Sequence, residues 1–95
     1  MADVIQHDTA GSRYVLMRDG HEIGETVYET GADGTMNFVH TQVDPSLQEH
    51  GLGGELVGAA LDDVRGMSAV RVTASCPFVS AFLRTHPEYR DLTTR

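Results

Sequence analysis

Three glycines, Gly51, Gly53 and Gly54, stand directly in front of an amphipathic stretch. From Leu52 onward the apolar residues Leu52, Leu56, Val57, Ala60, Leu61 and Val64 recur at three- and four-residue spacings, with Glu55, Asp62, Asp63 and Arg65 between them. That spacing predicts one helix with a buried face, stopped by Gly66. Each glycine costs a helix roughly 0.5–1 kcal/mol relative to alanine, so a cluster of them in a first turn needs a cause. A tight loop is the bland cause. The other is that bare backbone leaves the unpaired N–H groups of a helix N-terminus open to an anion.

Two phosphate motifs fail the test. A Walker loop needs a lysine after its last glycine, and the chain has none. The dinucleotide fingerprint would need its third glycine at position 56, which is Leu56.

Ninety-five residues make a single domain, 1–95, with an ordered core expected over about 13–92. No apolar run approaches the roughly 18 residues of a membrane span, and the first residues lack the basic and apolar regions of a secretory signal. A single cysteine permits no internal disulfide and no zinc cluster, which agrees with a reducing, cytoplasmic setting. His21-Glu22-Ile23-Gly24-Glu25 starts like a zinc-protease helix but lacks the second histidine, so no metal site is expected. Fourteen acidic residues against seven arginines give a formal net charge of −7. Nucleic acid binding needs the opposite sign over at least one face. An acidic surface would attract a cationic amine, although plain solubility explains it equally well.

Residues 1–12 read as a short disordered or edge segment. Tyr14 to Arg18 and Ile23 to Tyr28 are strand-like runs around Asp19-Gly20, a strong signal for a tight hairpin. The turn signal Gly31-Ala32-Asp33-Gly34 precedes a third strand, 35–43, which stops at Asp44-Pro45. After the glycine-started helix, Ala69 to Ala74 is β-branched and short, hence a fourth strand, parallel to the third through a right-handed crossover. Pro77 closes it, and a short helix over Val79 to Arg84 ends at His86-Pro87. The expected fold class is α/β (α+β): a mixed four-stranded sheet, an antiparallel meander followed by a β-α-β crossover and a C-terminal helix.

Gln48-Glu49-His50-Gly51-Leu52-Gly53 resembles the pyrophosphate loop Q/R-x-x-G-x-G/A of the GCN5-related N-acetyltransferases. The later segment Cys76-Pro77-Phe78-Val79, ending in His86-Pro87-Glu88-Tyr89, is similar to the small single-domain branch of that family. The resemblance covers about the second half of the chain and implies the minimal acyl-CoA N-acyltransferase fold. It implies that acetyl-CoA is held by Gln48, Glu49, His50, Gly51, Leu52, Gly53 and Gly54 through backbone N–H groups. Its pantetheine arm would lie along Thr41 and Val43, near Phe78, where the third and fourth strands part.

His40 lies three residues before the end of its strand, alternating with Phe38 and Gln42; it reads as a half-buried packing residue or as the base that neutralises an incoming ammonium. Cys76 reads as a small buried hydrophobe or, because helix N-termini lower a thiol's pKa, as an acyl relay or a proton donor to the departing CoA thiolate. The wider family often carries a tyrosine general acid on the second helix. Here Arg84 falls near that slot and Tyr89 comes too late; Arg84 either meets a cofactor phosphate or is solvated. The implied function is acetyl transfer from acetyl-CoA to a primary amine, small molecule or peptide. The alternatives are a non-catalytic CoA-binding module and an interaction domain without a cofactor.

Overall fold

The computed structural model describes residues 3–47, 51–67 and 69–95. Its elements are strands β1 (Asp3–Asp8), β2 (Arg13–Arg18), β3 (His21–Thr30) and β4 (Met36–Val43), helix α1 (Leu52–Arg65), strand β5 (Val72–Ala74), helix α2 (Pro77–Thr85) and a 3-10 helix at Pro87–Thr93. The strands form one sheet in the order β1-β2-β3-β4-β5. All neighbours are antiparallel except β4 and β5, which run parallel. Among the described residues, no helix is long and apolar enough to cross a membrane.

The β2–β3 hairpin turns at Asp19 (φ 51°) and Gly20 (φ 80°), both in the left-handed region that a two-residue hairpin turn of matching twist requires. Leu52, Leu56, Val57, Ala60, Leu61 and Val64 are the buried face of α1, as their spacing predicts. They pack on one face of the sheet with Tyr14, Leu16, Tyr28, Met36, Phe38 and Val72, and α2 joins the same core through Val79 and Phe82.

The sheet has five strands rather than the expected four. The polar segment before Arg13 supplies an edge strand, held by contacts that its own composition does not reveal. Arg18 donates to Asp3 at 2.7 Å and Arg13 to Asp8 at 3.0 Å, and the His7 ring stacks on Tyr14 with centroids 4.1 Å apart. At the other edge β5 is half the expected length, because Ala69 adopts φ 66° and its neighbourhood is a turn rather than a strand. Helix α2 begins two residues early, with Pro77 in its first turn, where a missing N–H costs nothing. The 3-10 helix after Pro87 was not anticipated; it carries Leu92 into the core, and Arg65 clamps it through Asp91.

Two bulges interrupt the ladders. Leu16 pairs with Gly24 and Met17 with Glu22, leaving Ile23 as an extra residue in β3. Tyr28 pairs with Phe38 and Val27 with His40, leaving Val39 extra in β4. An inserted residue exchanges the faces of everything beyond it. Phe38 is therefore buried while His40 is exposed, and Thr41 turns toward the helices.

Asp3 and Asp8 are held below the ordinary 3.8, chiefly by hydrogen bonds from Arg18 and Arg13 respectively. A carboxyl whose pKa is lowered by folding contributes stability above its unfolded value, and that contribution is lost as pH falls through the folded value. The double variant Asp3→Asn/Asp8→Asn is expected to be less stable at neutral pH and to show a shallower acid limb below about pH 4. Acid titration followed by circular dichroism checks this; limbs of equal steepness would contradict it.

Candidate functional site

The parallel pairing of β4 and β5 covers only Met36–Phe38 against Val72–Ala74. The Phe38 carbonyl oxygen then accepts from two consecutive amides, Ser75 N–H at 3.0 Å and Cys76 N–H at 2.9 Å, and the chain turns away into α2. Strand β4 continues to Val43 beyond this last contact. A cavity of about 360 Å³ opens there, lined among others by Thr41, Val43, Leu47, Gly51, Gly53 and Phe78.

The N-terminus of α1 borders the same cavity. Gly51 is its N-cap, at φ 86°, and among the described residues no side chain caps the helix. The first amide to find a helical acceptor is Glu55 N–H, which donates to Gly51 O at 2.8 Å. The amides of Leu52, Gly53 and Gly54 precede it, without helical acceptors of their own. Before the helix, Asp44 Oδ1 accepts from both the backbone and the hydroxyl of Ser46, bonds that hold the turn and keep the Asp44 carboxyl below its ordinary range. Gln48, Glu49 and His50 lie outside the described residues.

The glycines differ in what the fold asks of them. Gly51 is needed for its left-handed conformation. A Cβ at Gly53 would lie 2.7 Å from Cζ of Phe78, whose exposed ring covers that position. A Cβ at Gly54 would make ordinary contact with Phe82 at 3.7 Å, so nothing within the chain requires a glycine there.

Cys76 is the N-cap of α2 and only 4% exposed. Its Sγ lies 3.6 Å from Thr41 Oγ1, and Thr41 Oγ1 lies 2.9 Å from Thr26 Oγ1, which is fully buried. The thiol therefore reaches the cavity through Thr41, which lines it. Thr26 was not among the residues singled out from the sequence; its register opposite Thr41 exists only once β3 and β4 pair.

His40 does not share a face with Phe38, as simple alternation would require, because the Val39 bulge separates them. It stands exposed on the face away from the helices, with Nε2 3.2 Å from Gln42 Oε1. It is not a packing residue. Arg84 lies toward the far end of α2, lining a separate cavity with Arg90, Leu83 and Val72. Tyr89 donates its hydroxyl to Asp62 at 2.7 Å, which together with burial pushes its pKa up to about 12. This bond ties it to the C-terminal part of α1.

Residues 13–92 match the family described as GCN5-related N-acetyl-transferase. The chain belongs to that family. A mycothiol acetyltransferase of Segniliparus rotundus is 41% identical over 66 residues, which are 66% of this chain and 25% of that protein. The chain thus spans about a quarter of that relative's length. The solution structure of a GCN5-like protein from Staphylococcus aureus superimposes with a TM-score of 0.71 at 22% identity, over 94% of this chain and 85% of that one. The N-acetylglutamate synthase of Neisseria gonorrhoeae, determined with coenzyme A and N-acetyl-glutamate, superimposes at 0.55 with 26% identity, over 66% of this chain and 15% of that one. As a GCN5-related N-acetyltransferase domain, the chain combines the family's fold with a glycine turn and a strand gap that meet at one cavity.

The glycine assignments are testable by stability alone. Gly51→Ala is expected to cost about 1–2 kcal/mol, because it forces a left-handed alanine. Gly54→Ala is expected to leave stability unchanged or raise it by up to about 1 kcal/mol. Chemical denaturation of the two variants checks the contrast; equal costs would refute it.

Proposed function

We propose that the chain transfers an acetyl group from acetyl-CoA to a primary amine. The observation that carries this reading is one cavity bounded by an uncapped glycine helix start, by the unpaired end of β4, and by the threonine that holds the Cys76 thiol. The donor set fits the cofactor. The amides of Leu52, Gly53 and Gly54 offer hydrogen bonds and the positive end of the helix dipole to a diphosphate. The free edge of β4 beyond Phe38 offers backbone groups to the pantetheine amides, and Val43, Leu47 and Phe78 offer apolar surface. Gln48, Glu49 and His50 belong to the same turn in sequence. Arg84, given its distance along α2, is assigned no phosphate.

Acetyl-CoA bound there supplies an activated thioester. The chain's own contribution is then chiefly positioning. His40, on the open face of β4, takes the proton of the approaching ammonium; with Nε2–H donating to Gln42 Oε1, Nδ1 keeps the free lone pair. Cys76 Sγ–H is the proton source for the departing thiolate. The acceptor is cationic before it reacts, and the carboxylates of Glu22, Glu25 and Asp44 gather around a second cavity of about 250 Å³, which also takes in Gln42. Arg13 Nη1 offsets part of that charge by pairing with Glu22 at 2.8 Å and with Glu25 at 2.9 Å, but the three carboxylates outnumber it, which favours an amine there over an anionic acceptor. A single reduced cysteine suits reaction in the cytoplasm.

Gly53→Val is expected to displace the exposed Phe78 ring, to remain folded, and to lose measurable heat of CoA binding in calorimetry. Wild-type affinity in the folded variant would overturn the diphosphate assignment. Cys76→Ala and His40→Ala should keep CoA binding while each loses roughly 10²–10⁴ in kcat with a good amine. In the wild type the rate should rise with pH as the imidazole gives up its proton, and His40→Ala should flatten that rise. Tight CoA binding without acetylation of any amine in a broad panel would favour the non-catalytic module instead.

A further inference from the structure

Thr26 is a fully buried polar side chain in an otherwise apolar layer, where valine would fill the same volume on the same strand. Its partner is specific. Thr26 and Thr41 face each other in register across β3 and β4 with their hydroxyl oxygens 2.9 Å apart, and the Thr41 oxygen is 3.6 Å from the Cys76 sulfur. A hydroxyl carries one donor and two acceptor sites, and a thiol can donate or, once ionised, accept.

The row of three can therefore be completed in two ways with the same heavy-atom positions. With the thiol protonated, Sγ–H donates to Thr41 and Thr41 donates to Thr26. With the thiol ionised, Thr26 donates to Thr41 and Thr41 donates to the sulfur. The S–H bond breaks, the electron pair stays on sulfur, the proton passes to whichever base receives it, and only two hydroxyl hydrogens rotate.

We propose that Thr41, backed by Thr26, is a positioning pair that stabilises the ionised Cys76 sulfur and so makes its proton available. The inference rests on the reading of Cys76 as the reactive thiol. Among the described residues, Asp44 lines the same cavity as Thr41, with its Oδ1 engaged by Ser46, and the other charged side chains on the surrounding elements are directed elsewhere. His40 is exposed on the opposite face of β4; Glu22, Glu25 and Glu29 on β3 are exposed or only partly covered; Glu55 and Arg84 are exposed on α1 and α2; Arg71 is exposed ahead of β5. Asp62, Asp63 and Arg65 sit toward the C-terminal end of α1, and the Tyr28 hydroxyl is bonded to His7.

The chain has one cysteine, so its ionisation can be followed by the pH dependence of iodoacetamide alkylation at Cys76, read by peptide mass spectrometry, with neither CoA nor amine present. Thr41→Val is expected to raise the midpoint by about one to two pH units, the size expected when a hydrogen bond to a charged group is lost. Thr41→Ser should restore the wild-type midpoint. Thr26→Val, isosteric in its apolar layer, should raise it by a smaller amount and keeps the test available if Thr41→Val does not fold. An unshifted midpoint in a folded Thr41→Val or Thr26→Val protein would overturn the pair's role while leaving acetyl transfer intact. Wild-type acetylation by Cys76→Ala would instead remove the reactive-thiol reading, and the titration would still report on the threonines.

Discussion

The carbonyl of Phe38 is where the sheet stops being a sheet. It accepts the amides of both Ser75 and Cys76, which closes the β4–β5 ladder after three residue pairs. Pro77 follows at once and starts a helix, having no N–H with which to extend the ladder. Everything that makes the cavity follows from this early ending. The outer part of β4 keeps β3 on one side and has no strand on the other, α2 begins at the gap rather than beyond it, and Cys76 is held behind Thr41 by its own backbone hydrogen bond. The bulge at Val39 comes one residue later and turns Thr41 toward the helices and His40 toward solvent. A regular β4 would reverse both.

Among the described residues, the arginines lie away from the cavity at the glycine turn. Arg13 and Arg18 pin β1 through Asp8 and Asp3, while Arg65 and Arg95 tie the C-terminal segment to α1, Arg95 by donating to the Met67 and Val70 carbonyls. Arg71 approaches Asp33, and Arg84 and Arg90 share a cavity on the other side of α2. Among the described residues, no arginine lines the cavity at the glycine turn. The diphosphate proposed above would rely on the amides of the first helical turn, and on that proposal the glycines that cost helix stability leave those amides open. That reliance also sets an expectation of modest, geometry-dependent affinity, since those amides offer partial charges rather than full ones.

Local chemistry was legible wherever a residue acts through its own backbone or its own periodicity. Asp19-Gly20 announces a hairpin because few other dipeptides take two left-handed conformations in succession, and the helix of Leu52 to Arg65 announces itself through a spacing that only a 3.6-residue repeat satisfies. The glycine turn, the parallel relation of the last two strands and the resemblance to acetyltransferases were readable for the same reason. β1 was not, because its attachment lies in salt bridges and a ring stack with residues five to fifteen positions away. The length of β5 was obscured by Val70, Val72 and Thr73, whose β-branched composition favours strand although the run begins in a turn at Ala69.

The sequence by itself determined the elements, their order and the place of the glycine turn, since these follow from interactions among residues close in the chain. Tertiary structure alone decided which side chains meet. One unpaired residue in β4 sends His40 and Thr41 to faces opposite from those that alternation assigns, and no propensity marks Val39 as the residue that will be left over. The length of α2 carries Arg84 away from the gap, whereas the pairing of β3 with β4 brings Thr26 to the one cysteine through Thr41. Register between strands is set by the whole core packing against α1. A contact that depends on register therefore exists only in the folded protein.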